Sequence, residues 1–234
     1  MAEPTPVPRA LSNLLGFNAG YVDTAGFLAL GGLFTAHVTG NFVTLGAALI
    51  NGTSGAISKL SALPVFCLVV LLSRWASNHL VERHRPPVRS LVVAKVLLLT
   101  LAAVLMISQG PFNDGDAPVA FAAGMLMVAA MAVQNAMQRM HMGSAPPSTL
   151  MTGNTTQVMI DLADLFKGVQ GDARKGVLAR LKKMLPAIAV FALGCALAAL
   201  AYVWLGMWCF ALPPVVALLT TRWTHLVDGE VLSH

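Results

Sequence analysis

Asp23 is the only Asp, Glu, Lys or Arg between Leu11 and Ser58. It stands in an apolar segment, where an ionised carboxylate is costly unless it is paired, wetted or protonated. A carboxyl group there is a candidate for carrying a proton or cation. The alternative is a protonated Asp hydrogen-bonded to a neighbouring helix. After fifteen intervening residues come Thr39, Gly40 and Asn41, and the pattern recurs: Asn135 is followed, after sixteen, by Thr152, Gly153 and Asn154. Each Thr-Gly-Asn supplies a hydroxyl, a residue tolerant of a sharp turn and an amide with donors and an acceptor. That suits a helix break whose Asn caps the short helix after it. The helix N-terminus could then face an anion or polar ligand, or the cap could be purely structural. Lys95 is the one other charge deep in an apolar segment. It is a candidate partner for Asp23, although a long basic side chain near a helix start is expected to snorkel to the interface instead.

Other residues carry less chemistry. The run Met137-Gln138-Arg139-Met140-His141-Met142 suggests a soft-metal site, but Met is also an ordinary filler of helix interfaces, Arg139 would repel a cation, and no Cys joins the run. No metal is therefore expected. Cys67, Cys195 and Cys209 lie in apolar stretches without paired spacing and read as small packing residues. His37 reads as an interfacial loop histidine. Asp161 and Asp164 read as facing water or the basic stretch that follows them. No nucleophile-base set, HExxH, Walker loop or GxGxxG is present, so neither an enzyme nor a cofactor is indicated.

The elements that must hold these residues are membrane spans. Of 234 residues, 56% are hydrophobic and 11% charged, with a mean hydropathy of +0.72. A soluble domain carries about 25% charged residues, so a soluble globule is excluded. Full spans are expected over roughly Leu11 to Phe34, Leu60 to Leu80, Leu91 to Gln109, Ala117 to Gln138, and twice within Met184 to Thr221, where Pro213 and Pro214 should distort the last helix. Two pieces, FVTLGAALI and VMIDLADLF, are too short or too polar to cross comfortably. If neither crosses, 13 of the 15 Lys and Arg residues fall on one side, with Lys59 opposite and Lys95 inside a helix. By the positive-inside rule that side is cytoplasmic and carries both termini. The net charge of +5 is then a topology signal, and no nucleic acid is implied.

The reading is a single all-α membrane domain over residues 1–234, with about six full spans plus two short or re-entrant Thr-Gly-Asn segments. One repeat covers about 11–109 and a second about 117–222. Three spans per repeat is an odd number, so the copies must be inverted, with their breaks expected to meet near the midplane. Gly16 and Gly20 form a GxxxG pair suited to helix packing within the chain or to a homodimer.

The segment GYVDTAGFLALGGLFTAHVTGNFVTLG, with a second MTGN after a Gln-Asn pair, resembles the YoaK-like family of bacterial integral membrane proteins, a family whose domain has no assigned function. The resemblance runs from about Leu11 to Thr221. It implies a bacterial multi-pass inner-membrane protein and no substrate. The function expected from the residues is transport of a small polar solute across the bilayer, with Asp23 as proton-coupling carboxylate. Thr39, Gly40, Asn41, Asn135, Thr152, Gly153 and Asn154 would line the site. The alternatives are a non-transporting scaffold or sensor, and an intramembrane enzyme acting on a lipid or quinone.

Overall fold

The computed structural model describes residues 7–149 and 151–233. Their long elements are all helices: α1 (Arg9–Ala29), α2 (Asn41–Asn51), α3 (Ala56–Glu82), α4 (Pro87–Gln109), α5 (Pro118–His141), α6 (Met151–Phe166), α7 (Gly171–Leu205) and α8 (Leu212–Val231). Short 3-10 turns precede α2 and α8. Among the described residues four stretches are long and apolar enough to cross a membrane: α3, α4, α5 and the run Gly171–Val231, which holds α7 and α8.

Helix ends follow the local chemistry. α1 stops at Ala29, five residues before the expected end, because Gly31 and Gly32 adopt φ of +60° and +85°, a region in which a side chain is strained. The basic stretch 167–183 is largely helical, since α7 already begins at Gly171. Pro213 and Pro214 do not distort α8. They occupy its first turn, where a missing N–H costs nothing. The bend falls earlier, at Gly206–Ala211, beside the exposed Trp204 and Trp208.

The two halves interdigitate. α1 packs most extensively on α7, and α5 on α4 and α3; α2 lies against α3, and α6 against α7; α4 also contacts α8, and α8 contacts α1. At the α1–α7 crossing the backbones meet directly. A Cβ on Gly20 would collide with the Phe191 carbonyl, and one on Gly194 with that of Phe17. Gly16 faces Val190 of the same helix. The small-residue face of α1 is thus occupied by α7 within the chain.

Carboxylates complete helix starts that lack side-chain caps of their own. Asp228 in α8 accepts the N–H groups of Val88 (2.7 Å) and Arg89 (3.0 Å) at the start of α4. Asp116, in the α4–α5 connection, accepts those of Ser58 (2.8 Å) and Ile57 (3.1 Å) at the start of α3. Orphan N–H groups and the helix dipole both favour a negative charge there. Burial alone pushes the Asp116 carboxyl up, but the bonds from Ser58, Ile57 and Gly55 outweigh it and hold the group below its ordinary value. A depressed carboxylate contributes stability above its unfolded pKa of about 3.9 and loses it as pH falls through the lower folded value. Thermal unfolding in detergent should therefore show an acid-dependent loss below about pH 4. Asp116→Asn should flatten that dependence, and an unchanged pH profile in this variant would contradict the assignment.

Candidate functional site

Asp23 lies about 9 Å short of the end of α1 at 1.5 Å per residue. The chain passes Gly31 and Gly32, which lie beside Ser54 and Lys59 respectively, and then turns back along α1. Asp23 Oδ1 accepts the backbone N–H groups of Thr35 (2.7 Å), Ala36 (2.7 Å) and His37 (3.5 Å), and the Thr35 hydroxyl lies at 3.4 Å. Its Oδ2 accepts from His37 Nδ1 at 2.6 Å. The His37 ring meets Phe191 of α7 edge-on at 5.5 Å. From this tip α2 leads the chain back to the end it came from, where α3 starts. Asp23 is therefore neither paired with Lys95 nor bonded as a neutral acid to another helix; it holds the inward loop that follows its own helix. His37, read from the sequence as an incidental loop residue, is its partner.

A second inward loop follows α5, whose end lies away from the end of α1. Asn135 lies about 9 Å before the end of α5. The chain turns beyond Met142, and its return is fixed by Thr149 Oγ1 donating to Asn135 Oδ1 (2.7 Å) and by Ser148 donating to Gln138 Oε1 through its hydroxyl (2.5 Å) and N–H (3.2 Å). α6 then carries the chain back out. The two tips sit at different depths: Gln134 Nε2 donates to the Leu15 carbonyl (3.0 Å), which places Asn135 about 12 Å from Asp23 along α1.

The Thr-Gly-Asn residues act differently from the expectation. Asn41 does not cap α2; its amide grips the Phe34 backbone, accepting from the N–H (2.9 Å) and donating to the carbonyl (2.8 Å). Asn154 donates to the Pro147 carbonyl seven residues upstream, the same separation as Asn41 from Phe34. It stands inside α6, whose first residue is Met151, so the second break precedes the motif. Thr39, Thr152 and Gly153 are exposed, and nothing lies near a Cβ placed on Gly153. Thr152 borders an open outward groove on α6. The two motifs do not meet in one cavity: each Asn secures its own inward loop.

Between the tips lies a polar layer that the sequence did not single out as a unit. Lys95 does not snorkel; it is fully buried and donates to Gln134 Oε1, while Gln134 also donates to Ser148 Oγ (2.7 Å). One turn from Leu15, Asn18 is fully buried with neither amide atom hydrogen-bonded. Beside the second tip, Asn135, Gln138, Arg139 and Phe66 line a cleft of about 550 Å³. Asp161 is buried against Arg180 (2.6 Å), whose guanidinium holds the carboxyl below its ordinary range, and Asp164 is exposed. Among the described residues no cluster of three or more His, Cys, Asp or Glu could hold a metal ion.

No solved structure matches this chain significantly. The curated UPF0700 transmembrane protein YoaK of Bacillus subtilis (strain 168) is similar, 29% identical over 156 residues that span 66% of this chain and 67% of that protein. A family described as protein of unknown function (DUF1275) matches residues 11–223. An apolar chain with a transmembrane relative, matched by the family model over residues 11–223, is thus a membrane protein belonging to the DUF1275 family.

Proposed function

We propose that this protein is a secondary transporter or permease for a small polar solute, with a polar layer of Asn18, Lys95 and Gln134 on the solute path. The carrying observation is the pair of inward loops entering from opposite ends, one held by Asp23 and His37, the other by Asn135 and Gln138. Interrupted segments facing each other across a bundle are a recurring transporter plan, because irregular backbone is tolerated at membrane depth only where protein or water satisfies it. The packing supports two inverted repeats of three spans. Exchanging the halves turns α1 on α7 into α5 on α3, α2 on α3 into α6 on α7, and α4 on α5 into α8 on α1. The end carrying Arg9, Arg83, Arg85, Arg139 and Lys183 is then the cytoplasmic face of a bacterial inner membrane. Asp23 and His37 form the proton-handling pair.

One observation favours a scaffold or sensor instead: Asp23 Oδ1 already accepts three backbone N–H groups. Vesicles holding the purified protein and a pH-sensitive dye separate the readings. A panel of amino acids, ammonium and small sugars applied with a pH gradient should produce protein-dependent flux. Asp23→Asn and Lys95→Gln should each lower that flux while the purified protein remains folded, because an ionisable group within a membrane segment is functional by default. Flux unchanged in both variants would reject the proposed path, and no flux above empty vesicles for any solute would favour the scaffold.

A further inference from the structure

At the basic end of the bundle a cleft of about 530 Å³ opens between the start of α1, the entry to the second inward loop and α7. Arg9, Lys182 and Lys183 line it, together with Ser12, Asn13 and the 144–146 segment, and among the described residues no Asp or Glu does. Lys183 Nζ donates to the Ser144 carbonyl (3.3 Å), leaving further N–H donors on the same ammonium. α1 starts in the cleft with no side-chain cap and no acidic residue in its first turn, so its N-terminal N–H groups and dipole add to the field of three cations. Like-charged side chains gathered around a concavity repel one another unless an anion joins them.

We propose that this cleft binds a phosphate-bearing anion, as the headgroup of an anionic phospholipid or as free phosphate. A phosphate offers several strong acceptor oxygens, which match the three cationic side chains and the Ser12 and Asn13 donors. Basic pockets between helices at one membrane face are suited to such headgroups. Leu185 and Leu193, both about half exposed and C-terminal to Lys183 on α7, supply apolar surface for acyl chains. Because residues 144–146 form one wall, the bound anion braces the second inward loop at the point where it leaves α5.

The test follows the melting temperature of the purified protein in neutral detergent during titration with short-chain phosphatidylglycerol, short-chain phosphatidylcholine or inorganic phosphate. The wild type should be stabilised by phosphatidylglycerol and not by phosphatidylcholine. The triple variant Arg9→Gln, Lys182→Gln, Lys183→Gln should need at least about tenfold more phosphatidylglycerol for half the shift. A charge-matched triple outside the cleft, Lys167→Gln, Arg174→Gln, Lys175→Gln, should behave as wild type. If inorganic phosphate reproduces the shift, the source is the free anion; if phosphatidylglycerol alone does so, the source is lipid. Should the cleft triple not fold, Lys182→Gln alone should weaken the response by about threefold or more. A response unchanged in the cleft variants, or equally weakened in both triples, would overturn the site.

Discussion

Replacing Asp23 by Ala should destabilise the protein by about 2 to 5 kcal/mol, because it strips the acceptor from two buried backbone N–H donors. Each buried donor left unpaired costs about 1–3 kcal/mol, and the carboxylate serves the N–H groups of Thr35 and Ala36 while also pairing with His37. Asp23→Asn keeps one oxygen for the backbone donors and loses only the charge opposite His37, so it should cost about 1 kcal/mol. Thermal unfolding gives the ordering, and limited proteolysis across 33–40 locates the damage. An Asp23→Ala protein as stable as wild type, with that segment still protected, would show that the carboxylate does not hold the loop. The contrast also makes Asp23→Asn the appropriate variant for flux measurements, since it separates proton handling from folding.

Gly20→Ala and Gly194→Ala should each cost about 3 kcal/mol or more. Overpacking usually costs about 1–3 kcal/mol, and here the added methyl meets main chain rather than a side chain that can rotate. The obstacles are the Phe191 and Phe17 carbonyls, so α1 and α7 must move apart along their whole contact. Gly153→Ala is the control: it adds the same methyl inside α6 with no neighbour to meet, and should be neutral or stabilise by up to about 1 kcal/mol through helix propensity. Melting temperatures of the three variants decide the matter. Equal losses at Gly20, Gly194 and Gly153 would remove the close-approach argument and return significance to the glycine of the second motif.

The outline of this fold is legible in composition, because long charge-free runs must become helices in a bilayer. α5 matches its expected span within a few residues, and Asp23 is conspicuous as a lone charge. What holds Asp23 is not legible. Thr35 and His37 are ordinary loop residues in sequence, and only the reversal at Gly31 and Gly32 brings them back onto α1. Ser148 and Gln138 were hidden in the same way. Lys95 was misjudged because sequence shows how far a side chain lies from a helix end but not whether its side is covered; α4 packs on both α5 and α8, so Lys95 has no route to the surface. The Thr-Gly-Asn spacing pointed to the right neighbourhoods for a different reason than expected: each Asn grips backbone seven residues behind it.

The carboxylate of Asp228 gives the protein a schedule. The start of α4 leaves the ribosome about 140 residues before the side chain that completes it, and α1 likewise waits for α7. A chain halted after α4 therefore holds a helix start and a glycine face without the partners they have in the full bundle. The bundle cannot close until α8 has been made.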